Sequence, residues 1–169
     1  NLDDAFPLFG IQYAWVYDPA FQPVYAMRED DAAAHALDAS QLRVAVARNP
    51  FAHFYRRAAS GDVVEYFSAP IQPSDDPERR SLPQGWLVAA RSLDAAFLDR
   101  LARAAGLTVS LAGAVTGPAD RIDVDANRVE VYQPLTDSDG DTAAVLVAWR
   151  ENPGLPVLAS ALTTYNRLY

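Results

Sequence analysis

The order of strand-like and helix-like segments, with short turns between them, is the feature that most limits the fold of this chain. Residues 12–18 and 22–27 are apolar or alternating segments on either side of Asp18-Pro19, a turn-initiating pair, and they predict a β-hairpin. Asp137-Ser138-Asp139-Gly140 joins two later apolar segments, and Asp-Gly in that setting is a strong hairpin signal. Strands joined mostly by turns of hairpin length favour antiparallel sheets over a doubly wound parallel one.

Further strands are predicted over 62–71, 85–91, 107–112, within 121–135 and over 143–150. Short helices are expected between Asp30 and Ala47, and a longer one from Ser92 to Gly106, where apolar residues follow helical spacing. Asn49 as an N-cap and Pro50 at the first helical position predict another helix over 50–59. Residues 72–84 contain three prolines and a run of charges, and therefore predict an exposed loop. The segments together predict an α+β fold with an antiparallel central sheet and flanking helices.

Composition narrows the class of protein. A chain of 169 residues, 50% hydrophobic and 21% charged, is expected to form one globular domain, which we place at 1–154. The formal net charge of −8 disfavours nucleic acid as a partner. The sequence has no cysteine, which excludes thiol catalysis, and no lysine, which excludes Walker-type phosphate binding, pyridoxal Schiff bases and a kinase core.

The last residues predict a helix that leaves the domain. After Gly154, apolar side chains recur at spacings of three and four, as in a coiled-coil seam, at Leu155, Leu158, Leu162, Tyr165 and Tyr169. The pattern reaches the last residue without a helix-stop signal, so we expect 155–169 to be an exit helix toward a membrane span. The alternative is a short terminal helix on the domain's own core. No apolar run in this sequence is long enough to cross a membrane.

Several segments resemble the extracytoplasmic CHASE sensor domain of the fourth type: VVEYFSAPIQ, PQGWLVAARSLDAAFLDRLARAAGLTVSL and VYQPLTDSDGDTAAVLVAWRE. The family pattern falls here on Ala69, Ile71, Gly85, Arg91, Leu93 and Asp94. VYDPAFQPVYA resembles the opening hairpin of the family, in which an Asp-x-x-Gly turn is common, but Phe21 stands in place of that glycine.

The resemblance implies a PAS- or Cache-like sensor, the periplasmic domain of a bacterial inner-membrane receptor. It implies flanking membrane helices absent from this chain, and an output domain that is a histidine kinase of a two-component system or a cyclic-di-GMP enzyme. The expected domain is not an enzyme, needs no cofactor, takes a small ligand or a partner subunit, and forms a homodimer in the full-length receptor.

Four residues are candidates for ligand binding. Arg91 ends an apolar strand, and a buried guanidinium there needs a carboxylate from Asp94 or from a ligand. Tyr66 and Trp86 lie on or beside strands, where aromatic side chains line a core or a pocket. His53 is a candidate base or ligand contact, although a helix-surface role is more common for such a histidine.

No metal site is expected. Asp137, Asp139 and Asp141 resemble the start of a calcium loop, but Ala148 stands where the bidentate glutamate is required, so a hairpin turn is favoured. A zinc site would need His35 and His53 to meet beside acidic residues.

Two functions from different classes remain open. The favoured one is a signal-input domain that acts through the exit helix. The alternative is a small secreted hydrolase or isomerase that uses Asp, Glu, Ser or His, although the sequence has no GxSxG elbow and no glycine-rich phosphate loop.

Overall fold

The computed structural model describes residues 6–27, 32–58, 60–113, 118, 120–124 and 127–152. A 3₁₀ turn at Phe6–Phe9 precedes the first strand. The α-helices whose bounds lie within the described residues are α1 at Ala39–Arg48 and α2 at Ala95–Ala105. The strands are β1 Tyr13–Tyr17, β2 Pro23–Ala26, β3 His53–Arg57, β4 Val63–Ile71, β5 Gly85–Ser92, β6 Thr108–Ala112, β7 Arg121–Val124, β8 Arg128–Thr136 and β9 Thr142–Glu151.

The chain divides into two compact units, the first made of 1–94 with 136–143 and the second of 95–135 with 144–169. The first unit contains a five-stranded sheet of order β2-β1-β5-β4-β3, and the second a four-stranded sheet of order β6-β9-β8-β7. The strand pairs are antiparallel at β1–β2, β1–β5, β3–β4, β4–β5, β6–β9 and β7–β8. The predicted α+β class with antiparallel sheet and flanking helices is confirmed, although the strands fall into two sheets. A single domain over 1–154 stays a prediction, and 155–169 lies outside the described residues.

The five-stranded sheet has two faces of different chemistry, because successive side chains of a strand point to opposite sides. The first, which we call the covered face, packs against residues 32–46 and carries Trp15, Tyr17, Phe54, Val64, Tyr66, Trp86 and Val88. The second, which we call the Glu65 face, carries His53, Tyr55, Glu65, Phe67 and Arg91, as the cross-strand register requires.

Helix α1 forms where its sequence supplies a cap and an apolar stripe. The carboxylate of Asp38 accepts from the backbone N–H of Gln41 at 2.9 Å, and the Gln41 side chain accepts from the Asp38 N–H at 3.1 Å. This capping box satisfies two backbone donors that have no partner inside the helix. Leu42, Ala45 and Val46 are buried and fix the helix on the covered face.

The predicted helix over 50–59 is wrong. Asn49 is the C-cap of α1 rather than an N-cap, and residues 53–57 form strand β3, paired with β4 from His53–Phe67 to Arg57–Val63. The side chain of Asn49 accepts from the N–H of Phe51 at 3.0 Å, which makes a turn that ends the helical path. Strand pairing and the burial of Phe54 outweigh the Asn-Pro helix-start signal.

The predicted turns are confirmed. Asp18 accepts through its carboxylate from the N–H groups of Ala20 and Gln22, each at 2.8 Å. Phe21 has φ 65°, in the left-handed region that favours glycine, so this chain retains the glycine-type turn with a side chain added. Gly140, at the β8–β9 hairpin, has φ 94°.

In the second unit, α2 ends with Gly106 at φ 65° and with a bond from the N–H of Leu107 to the carbonyl of Ala102 at 3.1 Å, a Schellman-type stop. The region predicted as one strand within 121–135 is two strands, β7 and β8. None of the described helices has the length and apolar character that a bilayer crossing requires.

Candidate functional site

The covered face is built around a column of aromatic rings. The ring of Trp15 stacks at 6.1 Å from Tyr13 and at 6.4 Å from Tyr66, and Tyr66 stacks at 5.2 Å from Phe54. Trp15, Tyr66 and Phe54 are all buried, so the column is part of the hydrophobic core. Because successive side chains of a strand point to opposite sides, the registers of β1, β3, β4 and β5 place these rings on one side of the sheet.

Polar contacts attach the segment 35–41 to this face. The hydroxyl of Tyr17 donates to the carbonyl of Leu37 at 2.9 Å and accepts from its N–H at 3.1 Å. Tyr66 donates to the carbonyl of His35 at 2.8 Å. The guanidinium of Arg56 donates to the Gln41 side chain at 3.0 Å. The covering segment is thus held to the sheet by directed bonds from three strands.

Burial changes the acidity of these hydroxyls. Desolvation raises the pKa of Tyr66 to about 12. Desolvation also raises the pKa of Tyr17, against the opposing effect of its bond to Leu37. Both groups therefore act as neutral donors at physiological pH.

A cavity of about 380 Å³ lies where β2 meets the covering segment, with Trp15, Val24, Ala33 and Ala36 in its wall. Trp15 is 1% exposed, and its indole Nε1–H has no hydrogen-bond acceptor within the described part of the chain. Buried donors without an acceptor are rare in folded proteins, so this one calls for an explanation.

The Glu65 face has a buried carboxylate at its centre. Arg91 Nε donates to Glu65 Oε2 at 2.5 Å, and Tyr55 Oη donates to Oε1 at 3.1 Å. His53 Nε2 lies 2.8 Å from the same Oε1. The His53 ring also stacks on Phe67, with centroids 4.7 Å apart and an interplanar angle of 2°. The Glu65 carboxylate therefore links three neighbouring strands.

The charge balance of this cluster keeps Glu65 ionised. Burial alone would raise the pKa of Glu65, but hydrogen bonds from Arg91 and His53 and the positive charge of Arg91 outweigh it, and the pKa is lowered. Burial, and then the nearby negative charge of Glu65, raise the pKa of Tyr55 to about 12. The cluster is a satisfied ion-pair network at neutral pH.

The structure brings the four candidate residues together only in pairs. Arg91 and His53 meet at Glu65, whereas Tyr66 and Trp86 lie on the covered face, on the other side of the sheet. Trp86 stacks with Phe21 at 5.9 Å. For Arg91, Glu65 is a carboxylate partner that the sequence analysis did not name. His53 lies on a strand rather than on the predicted helix.

Sequence reasoning missed Glu65 and Trp15. A charged residue between Val63 and Phe67, at an inward position of an alternating strand, was the available signal for Glu65. Trp15 gave no signal, because an indole in an apolar strand has the same pattern as any core residue.

The aspartates of the β8–β9 turn serve the turn itself. Asp137 accepts through its side chain from the N–H groups of Asp139 and Asp141, each at 2.9 Å. Among the residues that the structure describes, no group of three or more histidines and carboxylates is placed to hold a metal ion.

Comparison with known proteins gives a family and a distant structural likeness. No curated protein matches the chain. The ligand-binding domain of the Pseudomonas aeruginosa PAO1 amino acid chemoreceptor PctC, solved in complex with GABA, is similar at 12% identity and a TM-score of 0.41. That similarity covers 85% of this chain and 77% of the chemoreceptor chain.

The profile of the CHASE4 domain family matches residues 1–112. Those residues include every strand of the five-stranded sheet and both described helices. Because the match spans more than half of the sequence, the chain belongs to the CHASE4 domain family.

Proposed function

We propose that this domain is the periplasmic signal-sensing part of a bacterial inner-membrane receptor, with a histidine kinase or a cyclic-di-GMP enzyme as its output. The observation that carries the proposal is the CHASE4 match over residues 1–112, which includes the whole five-stranded sheet. In this role the domain is not a catalyst. It binds a small molecule and biases the arrangement of the receptor.

The covered face is the better place for a ligand. It combines the aromatic side chains of Tyr66 and Trp86, a cavity beside Trp15, and a segment held to the sheet by individual hydrogen bonds. A ligand acts only if it binds one arrangement of that segment more tightly than the other, since equal affinity shifts nothing. A direct ligand contact by Arg91 or His53 stays a prediction, and both side chains already bind Glu65.

Transmission would use residues 155–169 as an exit helix paired with its copy in a homodimer. The seam of Leu155, Leu158, Leu162, Tyr165 and Tyr169 has the spacing of a coiled coil. Sedimentation should show that the chain ending at Tyr169 dimerises more strongly than a chain ending at Asn152. Equal monomer content in the two would remove this route of transmission.

The sensing role itself is tested in the full-length receptor in cells. A reporter active only in the periplasm, inserted at the exposed loop 72–84, should be active, and a reporter active only in the cytoplasm should not. The loop is suitable because it lies outside the described helices and strands. Activity of the cytoplasmic reporter alone would contradict the proposal.

A further inference from the structure

The indole N–H of Trp15 and the cavity beside it form a recognition site of definable chemistry. We propose that this site binds an uncharged small molecule that has an apolar body and one hydrogen-bond acceptor, and that Trp15 Nε1–H donates to the acceptor. The inference rests on the proposed sensing function and specifies the class of ligand sensed.

The first support is the state of Trp15. The side chain is 1% exposed, and Nε1 is buried without an acceptor in the described part of the chain. A phenylalanine would fill a similar place in the aromatic column without leaving a donor unsatisfied, and an unmet buried donor costs stability. A bound ligand with an acceptor atom would satisfy the indole N–H, and a phenylalanine at this position could not bind that acceptor.

The second support is the composition of the cavity wall. The cavity measures about 380 Å³, and among the residues that the structure describes, none of those lining it has a charged side chain. Small-molecule sites are mainly apolar, with a few placed polar groups, and the described wall is mainly apolar, with Trp15 among its residues. A charged ligand would enter without a counter-charge from the wall, which is unfavourable. An uncharged ligand therefore suits the described wall better than a charged one.

The third support is that the two sides of the cavity are held in place by different kinds of contact. Stacking on Tyr13 and Tyr66 fixes the indole, so the donor is preorganised. Solvent does not reach Nε1, so the proposal requires the wall to move before an acceptor can meet this donor. Ala33 and Ala36 are the part of the wall outside the sheet, and they belong to the segment that Tyr17 and Tyr66 hold. Binding is thereby coupled to that segment.

The test follows the tryptophan indole resonances of the 169-residue chain by ¹H–¹⁵N NMR. The chain has three tryptophans, and Trp15→Phe identifies the Trp15 signal by its loss. Acetophenone is the uncharged probe, and benzoate is its charged counterpart. Acetophenone should move the Trp15 indole proton downfield with saturation and leave the Trp149 resonance in place. Benzoate should bind at least about tenfold more weakly, because its charge would be buried without a partner.

Matched variants locate the binding event. Ala33→Leu puts a larger side chain into the cavity wall and should weaken acetophenone binding at least about fivefold, since the bound volume is occupied. Ala34→Leu is the control, because Ala34 is exposed and outside the wall. It should leave binding unchanged.

Three results would overturn the inference: no movement of the Trp15 resonance, movement without a downfield shift, or benzoate binding as tightly as acetophenone. Each of these leaves the periplasmic reporter result untouched, so the ligand class can fail while the sensing function stands. A cytoplasmic location in the reporter experiment would remove the sensing function, whatever the domain binds.

Discussion

The substitution Glu65→Gln should have a large effect on the stability of the first unit. Glu65→Gln keeps the shape of the side chain but removes its charge and replaces one carboxylate oxygen by an NH₂ group. Arg91 donates to one oxygen, while Tyr55 donates to the other and His53 lies within hydrogen-bond distance of it. If the NH₂ turns toward Arg91 it faces a group that can only donate, and if it turns toward Tyr55 and His53 the amide oxygen that accepts from Arg91 has no negative charge. Either way the charge-assisted bond to Arg91 is lost.

The size of the loss follows from the exposure of the partners. Removing one member of a fully buried ion pair costs about 3–5 kcal/mol, because the remaining charge is left without compensation. The side chain of Arg91 is 28% exposed, so water can replace part of the lost interaction. We therefore expect a decrease of about 2–3 kcal/mol in the free energy of unfolding. For a chain of this length that corresponds to a fall in Tm of roughly 4–12 °C.

The measurement is urea unfolding followed by circular dichroism at several pH values. A carboxyl whose pKa is lowered on folding stabilises the fold above its unfolded pKa, and that contribution is lost as pH falls through the folded pKa. The difference between wild type and Glu65→Gln should thus be largest near neutral pH and shrink below the ordinary value of 4.5.

Glu78→Gln is the matched control, since Glu78 pairs with Arg80 at the surface, where the two side chains are 62% and 82% exposed. It should change the free energy of unfolding by less than about 0.5 kcal/mol. The reasoning about Glu65 is refuted if Glu65→Gln costs no more than this control, or if its cost is the same at every pH.

Other variants test the remaining local arguments. Tyr66→Phe removes the donor to the His35 carbonyl and should cost about 1–2 kcal/mol at pH 7 by urea unfolding. Wild type should lose stability as pH rises from 10 toward 12, because the neutral Tyr66 hydroxyl is favoured in the fold, and the variant should lose less. The free energy of unfolding should be about 1 kcal/mol higher for Phe21→Gly than for Phe21→Ala, because residue 21 has φ 65°. This is the reverse of the usual order of glycine and alanine. Thermal unfolding of Phe21→Gly and Phe21→Ala gives that difference, and alanine proving the more stable would contradict it. Gly85→Ala would place a Cβ 2.4 Å from the carbonyl oxygen of Tyr17 and should destabilise the β1–β5 pairing by about 1–3 kcal/mol, which faster amide exchange in β1 would show.

Much of the fold could be predicted from the sequence because its signals are local. The Asp18-Pro19 and Asp-Gly turns, the exposed loop at 72–84 and the Gly106 stop are set by residues next to one another in the chain. The segment after Asn49 shows the limit of such signals. An Asn-Pro pair fits a helix start, but the partner that makes 53–57 a strand is β4, whose pairing cannot be read from residues 50–59 alone.

The candidate site was less predictable, because it depends on register. Arg91 and Trp86 are both on β5, but they are separated by an odd number of positions, so they face opposite sides of the sheet. Glu65 becomes the partner of Arg91 only because β4 and β5 pair with those two residues opposite each other. A one-residue shift in that pairing would have left the guanidinium opposite an aromatic or aliphatic side chain instead.

The two faces of the five-stranded sheet differ in how strongly they resist change, and this bears on where a sensor of this fold can move. On the Glu65 face, an ionised carboxylate connects β3, β4 and β5. Separating those strands would leave a buried charge exposed or without a partner. On the covered face, segment 35–41 is held by the burial of Leu37 and by individual hydrogen bonds, each worth about 0.5–1.5 kcal/mol when water can replace it. A ligand can offset the loss of such bonds one at a time, whereas opening the Glu65 face also requires breaking the pairing of β3, β4 and β5. The proposed sensing function therefore requires the strands to stay fixed and the covering segment, which leads directly into α1, to be the part that moves.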